Sequence, residues 1–465
     1  MYMPVALFQK WRQMKKETWK FAFFASLLCG FAAHFYRMTN WLPNWDSLVF
    51  REDPQHMTSL GRWFLSAASK CSTDYELPWL NGLLALLYLS IAAVVLIETL
   101  SVNSRVCAAL IGAVTVTFPT VTSTFTYCYV ADAYSLAFLL AVLAAYLFTH
   151  KKTLGAIVGV LLLTLSIGIY QAYVTVTIAL LTCVLLMRLL TKTDTAVLSL
   201  KSALKYIICG ISSLLLYCAV QWIVVSLFHV EVLEYQNISD TFSLQTFRFF
   251  EACKESLYVF KNHFVDFDRG LNLYSLLHIG VFAVLAIGYL RVFWKSYQNP
   301  GTLALTLFYL FSIPFGCCAL FFANSTIDYH NLMRMSFCIV YIYLILLYEK
   351  FGGLSAFWTT VKAWVIIGLC AAIVWNGICL ANVSYHKLQI AFEKSYGILL
   401  RIADRMETTD GFASADRILV VGALSGSEWY SVNFPPEVTG TTDGLILRKD
   451  DEMVRQSVLT SALQD

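Results

Sequence analysis

Few side chains here carry charge close to long apolar runs, and those few define the chemistry open to the chain. Asp46 lies in Asn40-Trp41-Leu42-Pro43-Asn44-Trp45-Asp46-Ser47, where two tryptophans belong at the level of lipid headgroups. A carboxylate held there, partly desolvated, can take the proton of a hydroxyl nucleophile as a general base; a solvated loop aspartate is the alternative. Arg62, in Gly61-Arg62-Trp63, offers the planar fork that matches phosphate oxygens. Asp132 lies at the outer end of a pair of apolar segments, where an acid is either functional or a helix cap. Tyr170-Gln171, in a compressed turn, can hydrogen-bond a sugar or merely satisfy the turn. Arg334, in Asp328-Tyr329-His330-Asn331-Leu332-Met333-Arg334, stands at a membrane boundary, where pairing with an acid, snorkelling or a polyanion makes a cation tolerable.

Other chemistries lack their residues. No Walker loop, G-x-G-x-x-G, H-E-x-x-H or C-x-x-C occurs. The nearest approach to a metal cluster is Asn262-His263 with Asp266-Phe267-Asp268-Arg269, whose spacing matches no ligand motif. No metal-ligating residues are read from the sequence and no cofactor is expected, while metal dependence stays open.

The elements that must position these groups are membrane helices. Apolar residues make up 58% of the chain and charged residues 14%, against roughly 25% charged in soluble domains. Mean hydropathy is +0.65. A helix of about 20 apolar residues crosses a bilayer, and about eleven segments between Phe21 and Ala381 are long enough or nearly so. The net charge of +3 is too mild for nucleic acid. Its basic residues fall in alternate loops (Lys10 to Lys20, Lys151-Lys152, Lys192 to Lys205, Arg291 and Lys295, Lys350 and Lys362), which places those loops and the N-terminus in the cytoplasm. The long loops 39–78 and 229–272 then lie outside, as does a C-terminal tail from Ser384.

Within the first outer loop, Met57, Leu60, Gly61, Phe64, Leu65 and Ala68 share one helical face, which predicts an amphipathic helix lying in the interface. Most cysteines fall inside apolar spans as small hydrophobes, while Cys71 and Cys253 in the loops are a possible pair on an oxidising side. In the tail, Leu388 to Leu400 shows helical spacing and Arg417 to Gly422 reads as a buried strand, predicting a small α/β appendage over residues 384–465 beside a bundle over residues 1–383.

Taken in order, Asn44-Trp45-Asp46-Ser47, Gly61-Arg62-Trp63, the Tyr129 to Ser135 stretch, Ile167-Gly168-Ile169-Tyr170-Gln171-Ala172-Tyr173 and the His330 to Arg334 stretch resemble bacterial serotype-converting (O-antigen) glucosyltransferases of the GT-C superfamily. The resemblance spans about Phe21 to Ala381. It implies an all-α GT-C bundle in the bacterial inner membrane. The donor would be a polyprenyl-phosphate sugar, such as glucose on undecaprenyl phosphate, and the acceptor a surface polysaccharide on the extracytoplasmic face. By the same resemblance Asp46 is the general base, Asp132 a second acid in the cavity, and Arg62 or Arg334 the phosphate contact. Trp45, Tyr127, Tyr170, Gln171 and His330 are the candidate substrate contacts. A lipid-borne donor needs no nucleotide-binding fold, in keeping with the missing glycine-rich loops. The competing class is a transporter or flippase for a lipid-linked sugar; it often carries inverted repeats, and none is visible in the sequence.

Overall fold

A computed structural model describes residues 17–43, 46–47, 55–72, 76–151, 153–230, 248–265, 276–281, 283–284, 286–287, 299–350, 356–412, 435 and 437–440. Among them all regular structure is helical. The first part of the bundle holds α1 (Glu17–Thr39), the short α2 (Gln55–Ser59) and α3 (Leu65–Ser69), α4 (Pro78–Thr99), α5 (Arg105–Thr117), α6 (Pro119–Thr126) and α7 (Cys128–His150). It continues with α8 (Thr153–Ile169), α9 (Val174–Leu190), α10 (Ala196–Phe228), α11 (Phe249–Phe264), α12 (Pro300–Cys317), α13 (Cys338–Lys350) and α14 (Ala356–Glu407). Among the described residues eight helices are long and apolar enough to cross a membrane, and nine if the bent pair α5–α6 forms one span. The chain is therefore an all-α polytopic membrane protein.

Local chemistry sets the ends. The Ser104 hydroxyl caps α5 by accepting from Cys107 N–H, Thr195 caps α10 through Leu198 N–H, and Asn299 caps α12 through Gly301 and Thr302 N–H. Proline opens α4, α6 and α12, where its missing N–H costs nothing. Pro119 also forces Phe118 out of the helical region, to ψ 138°. The apolar run that begins at Arg105 therefore stops at Thr117, bends by 40° and resumes as α6 to Thr126.

Helix α1 packs against α4 and α5, α4 against α7, and α7 against α8. The outer faces are apolar too: Leu154 and Leu161 on α8, Leu204, Ile211 and Trp222 on α10, and Phe308 and Phe311 on α12 are all exposed. Helices apolar all round belong in lipid, where every backbone group must be satisfied within the helix.

Two readings are corrected. The stretch from Met57 to Ala68 is not one amphipathic helix but two short ones, because Gly61 turns the backbone into the left-handed region (φ +80°). Met57, Leu60, Leu65 and Ala68 are buried in the bundle rather than laid on a lipid surface. Cys71 and Cys253 are both free thiols, so the pairing that their positions allowed is not made. Helix α14 runs unbroken through residue 384, carrying Leu388 to Leu400 with it. The strand expected at Arg417 to Gly422 lies outside the described residues.

Candidate functional site

The Gly61-Arg62-Trp63 turn is tied to the Ile167 to Gln171 turn by backbone and side-chain hydrogen bonds. Phe64 N–H donates to the Gly168 carbonyl at 2.9 Å. Gln171 Nε2 donates to the Leu60 carbonyl at 2.9 Å and to the Tyr217 hydroxyl at 3.2 Å, and that hydroxyl donates to the Gly61 carbonyl at 2.9 Å. A side chain at position 61 would collide with these groups: a Cβ would come within 2.6 Å of the Tyr217 hydroxyl and 2.7 Å of Gln171 Nε2. Glycine is required by the packing as much as by its φ. Gln171 is thus a structural donor in this turn.

The anchored turn fixes Arg62. Its guanidinium carbon lies 4.8 Å from the centre of the Tyr170 ring, and Nη1 donates to the Tyr134 hydroxyl at 3.0 Å. The Tyr134 and Tyr170 rings stack, centroids 4.8 Å apart and planes within 10°. Guanidinium, phenol face and phenol hydroxyl form one assembly whose parts hold each other in register. The Tyr170 hydroxyl and the Trp63 indole N–H are both buried without a hydrogen-bond partner. Buried donors left in that state cost free energy unless a ligand meets them.

Asp46 and Arg62 each act electrostatically on Tyr129 and Tyr134 of α7. Arg62 and Arg334 in turn both act on His330. Arg334 donates through Nε and Nη2 to the Tyr329 carbonyl at 3.3 and 2.9 Å, within the 3-10 turn Asn331–Phe337. Burial, aided by the two guanidiniums and opposed by Asp328, holds the His330 imidazole down at about 4. It is neutral near pH 7, with Nδ1 buried and unpartnered. Arg62 is thus fixed against Tyr134 and Tyr170, and Arg334 is fixed within the loop that follows His330. Guanidiniums oriented in this way can bind a phosphate-bearing group.

Asp132 lies three positions after Tyr129, on the same side of α7. It lies in the second turn of α7, whose cap position is Tyr127, so the capping alternative does not hold. It is 2% exposed and accepts from Asn81 Nδ2 of α4 at 3.2 Å, and Asn81 also bonds the Ser72 hydroxyl. Tyr134, two positions on, falls roughly on the opposite side of the helix. Tyr127 caps α7 and lies against Gly440 from the tail. Trp45 and the Asp266-Phe267-Asp268-Arg269 stretch lie outside the described residues. His263 is buried against Phe118, Phe264 and Phe337, and no group of three His, Cys, Asp or Glu side chains able to hold a metal occurs among the described residues.

Sequence reasoning missed Tyr134, Trp63 and the ion pair of Arg37 with Glu76. A tyrosine inside an apolar helix looks like core, and its spacing to Arg62 cannot be seen in one dimension. Arg37 is fully buried; it pairs with Glu76 and donates to the Phe125 and Asn40 carbonyls at 3.0 Å each. The signal was available: an arginine at the last turn of an apolar helix needs a partner.

One family model matches the chain, that of Glucosyl transferase GtrII, over residues 35–348. No curated protein and no solved structure matches it.

Proposed function

The chain belongs to the glucosyl transferase GtrII family and is a membrane glycosyltransferase, and from that premise we propose that it moves a hexose, glucose by family, from a polyprenyl-phosphate donor to a surface glycan. The reading adds an inner-membrane location, the N-terminus in the cytoplasm and a GT-C type of bundle whose site opens on the extracytoplasmic face. The observation that carries it is the Arg62 guanidinium held over the Tyr170 ring and bonded to the Tyr134 hydroxyl, with the Tyr170 hydroxyl buried and unpartnered.

Asp46 takes the proton of an acceptor hydroxyl as that oxygen attacks the anomeric carbon. The new C–O bond forms as the bond to the phosphate oxygen breaks, and the polyprenyl phosphate leaves with its electron pair. Arg62 and Arg334 stabilise the charge that develops on the leaving phosphate. A single displacement inverts the anomeric centre. The unpartnered Tyr170 hydroxyl and Trp63 N–H meet sugar or phosphate oxygens, while Asp132 supports α7 from the seam with α4. Fixed cations cost no reorganisation at the moment of reaction, and the stack under Arg62 provides that fixity.

The test is transfer by purified protein in lipid vesicles, given undecaprenyl-phosphate glucose and an isolated O-antigen acceptor, with products weighed by mass spectrometry. Asp46→Asn should lower the rate by about 10²–10⁴-fold in folded protein. Transfer at the parental rate by that variant overturns the assignment of the base. Movement of intact donor across the vesicle wall with no new glycosidic bond would favour the flippase.

A further inference from the structure

Beyond the residues matched by the family model, a short piece of the tail enters the site. Thr439 N–H donates to Ser123 Oγ at 3.0 Å, its carbonyl accepts from Thr126 Oγ1 at 2.9 Å, and its own Oγ1 accepts from Asn331 N–H at 3.1 Å. Ser123 and Thr126 belong to α6; Asn331 opens the 3-10 turn that carries Arg334 and directly follows His330. Thr120, also on α6, donates to the Asn331 carbonyl at 2.9 Å. Both backbone groups of Asn331 are therefore held, one by α6 and one by the tail. Val438 is 6% exposed, and Gly440 (φ +85°) lies so close that a Cβ there would come 2.5 Å from the Tyr127 ring.

These contacts form a chain of support. The Arg334 guanidinium bonds to the carbonyl of Tyr329 in its own loop, so its place is set by the loop backbone. That backbone is set at Asn331, and Asn331 is set by Thr120 and Thr439. We propose that residues 437–440 act as a strap across the site and that Thr439 is a positioning residue for the His330–Arg334 arm, joining it to the α6 end that carries Tyr127. The inference rests on the reading of that arm as the donor-phosphate contact. It gives the tail a part in donor binding through three hydrogen bonds and one buried valine, without placing any tail side chain on the reacting atoms.

The test uses the full chain in lipid vesicles, with Thr439→Ala, Thr439→Ser and Val438→Asp. Hydrogen exchange is followed on the 328–337 peptide, and donor KM and kcat are measured separately. Thr439→Ala removes only the acceptor of the Asn331 N–H. Exchange at that amide should quicken about five- to tenfold. Donor KM should rise about tenfold while kcat stays within about threefold, because the arm contacts donor and the base is untouched. Thr439→Ser should restore both, and Val438→Asp, which expels the strap, should exceed Thr439→Ala. Unchanged exchange in Thr439→Ala overturns the proposal, and so does faster exchange with parental donor KM, the mark of a merely structural contact. If Arg334→Ala keeps parental donor KM, the phosphate reading fails and takes the strap's role with it. If Arg334→Ala is impaired while Thr439→Ala is normal, the strap alone falls.

Discussion

Arg62 lies over the ring of Tyr170, its guanidinium carbon 4.8 Å from the centroid, and the opposed Tyr134 hydroxyl takes one of its N–H bonds at 3.0 Å. A cation stacked and bonded in this way is oriented before any ligand arrives. Arginine suits the task because its planar fork can lie on an aromatic face and still aim donors at phosphate oxygens; the compact ammonium of lysine cannot do both.

Substitution at Arg62 should therefore separate charge from shape. Arg62→Lys keeps the charge and loses the stack and the fork, and should raise donor KM about tenfold; Arg62→Ala should raise it further. Tyr134→Phe removes one charge-assisted hydrogen bond, with an expected effect of about tenfold or more. Titration of donor against initial transfer rate measures all three. A lysine variant indistinguishable from the parent would mean that the stack does not serve phosphate binding.

The two acids should behave differently. Asp132 accepts from Asn81 in a buried seam, and asparagine at that position can still accept through its amide oxygen. Asp132→Asn should transfer sugar within about threefold of the parent, whereas Asp46→Asn loses about 10²–10⁴-fold because an amide cannot take the proton. Asp132→Leu removes the acceptor of one Asn81 N–H bond in the seam and should lower the melting temperature instead. Equal rate losses from the two asparagine variants would place Asp132 among the catalytic groups.

The bundle was readable because apolar runs bounded by basic loops leave a chain little alternative in lipid. Asp46, Arg62, His330 and Arg334 stood out for a related reason: charge near a bilayer is costly, so each ionisable residue beside an apolar run invites a question. Their mutual placement was not readable. Tyr134 and Tyr170 come together only when α7 and α8 pack, and Thr439 reaches Ser123 across a sequence separation of 316 residues. The split of the Met57 to Ala68 run shows another limit. Helical spacing there is genuine, but Gly61 and the hydrogen bonds of Gln171 and Tyr217 outweigh the local preference for one continuous helix.

The ion pair of Arg37 and Glu76 is a stability determinant that transfer assays would miss. Their side chains are 0% and 8% exposed, so removing one charge strands the other in a medium where water cannot replace its partner. Glu76→Gln should cost about 3–5 kcal/mol and lower the melting temperature clearly. The double variant Arg37→Met with Glu76→Leu removes both charges and should be more stable than Glu76→Gln alone. Thermal melts in detergent, compared at one heating rate, decide it; a double variant worse than the single one would show that Arg37 matters through its bonds to the Phe125 and Asn40 carbonyls rather than through the pair.

Acid should loosen the fold through the site histidine. Burial keeps His330 neutral down to about 4 in the folded chain, against an ordinary value of 6.5 when unfolded. Above 6.5 neither state is protonated at this residue. As the pH falls from there, the unfolded chain gains its proton first, so the folded state loses relative stability until His330 itself titrates near 4. The contribution of His330 is therefore a melting temperature that falls from pH 6.5 to pH 4. His263, pushed well below its ordinary value by burial beside Arg334 and His278, adds a loss of the same sign. His330→Gln should flatten part of the slope and leave the part due to His263; a second substitution, His263→Gln, should flatten that. If the melting curves of the parent and of His330→Gln run parallel through the whole interval, the imidazole is not held neutral by the two guanidiniums and its buried setting, and the electrostatic picture of the arm fails with it.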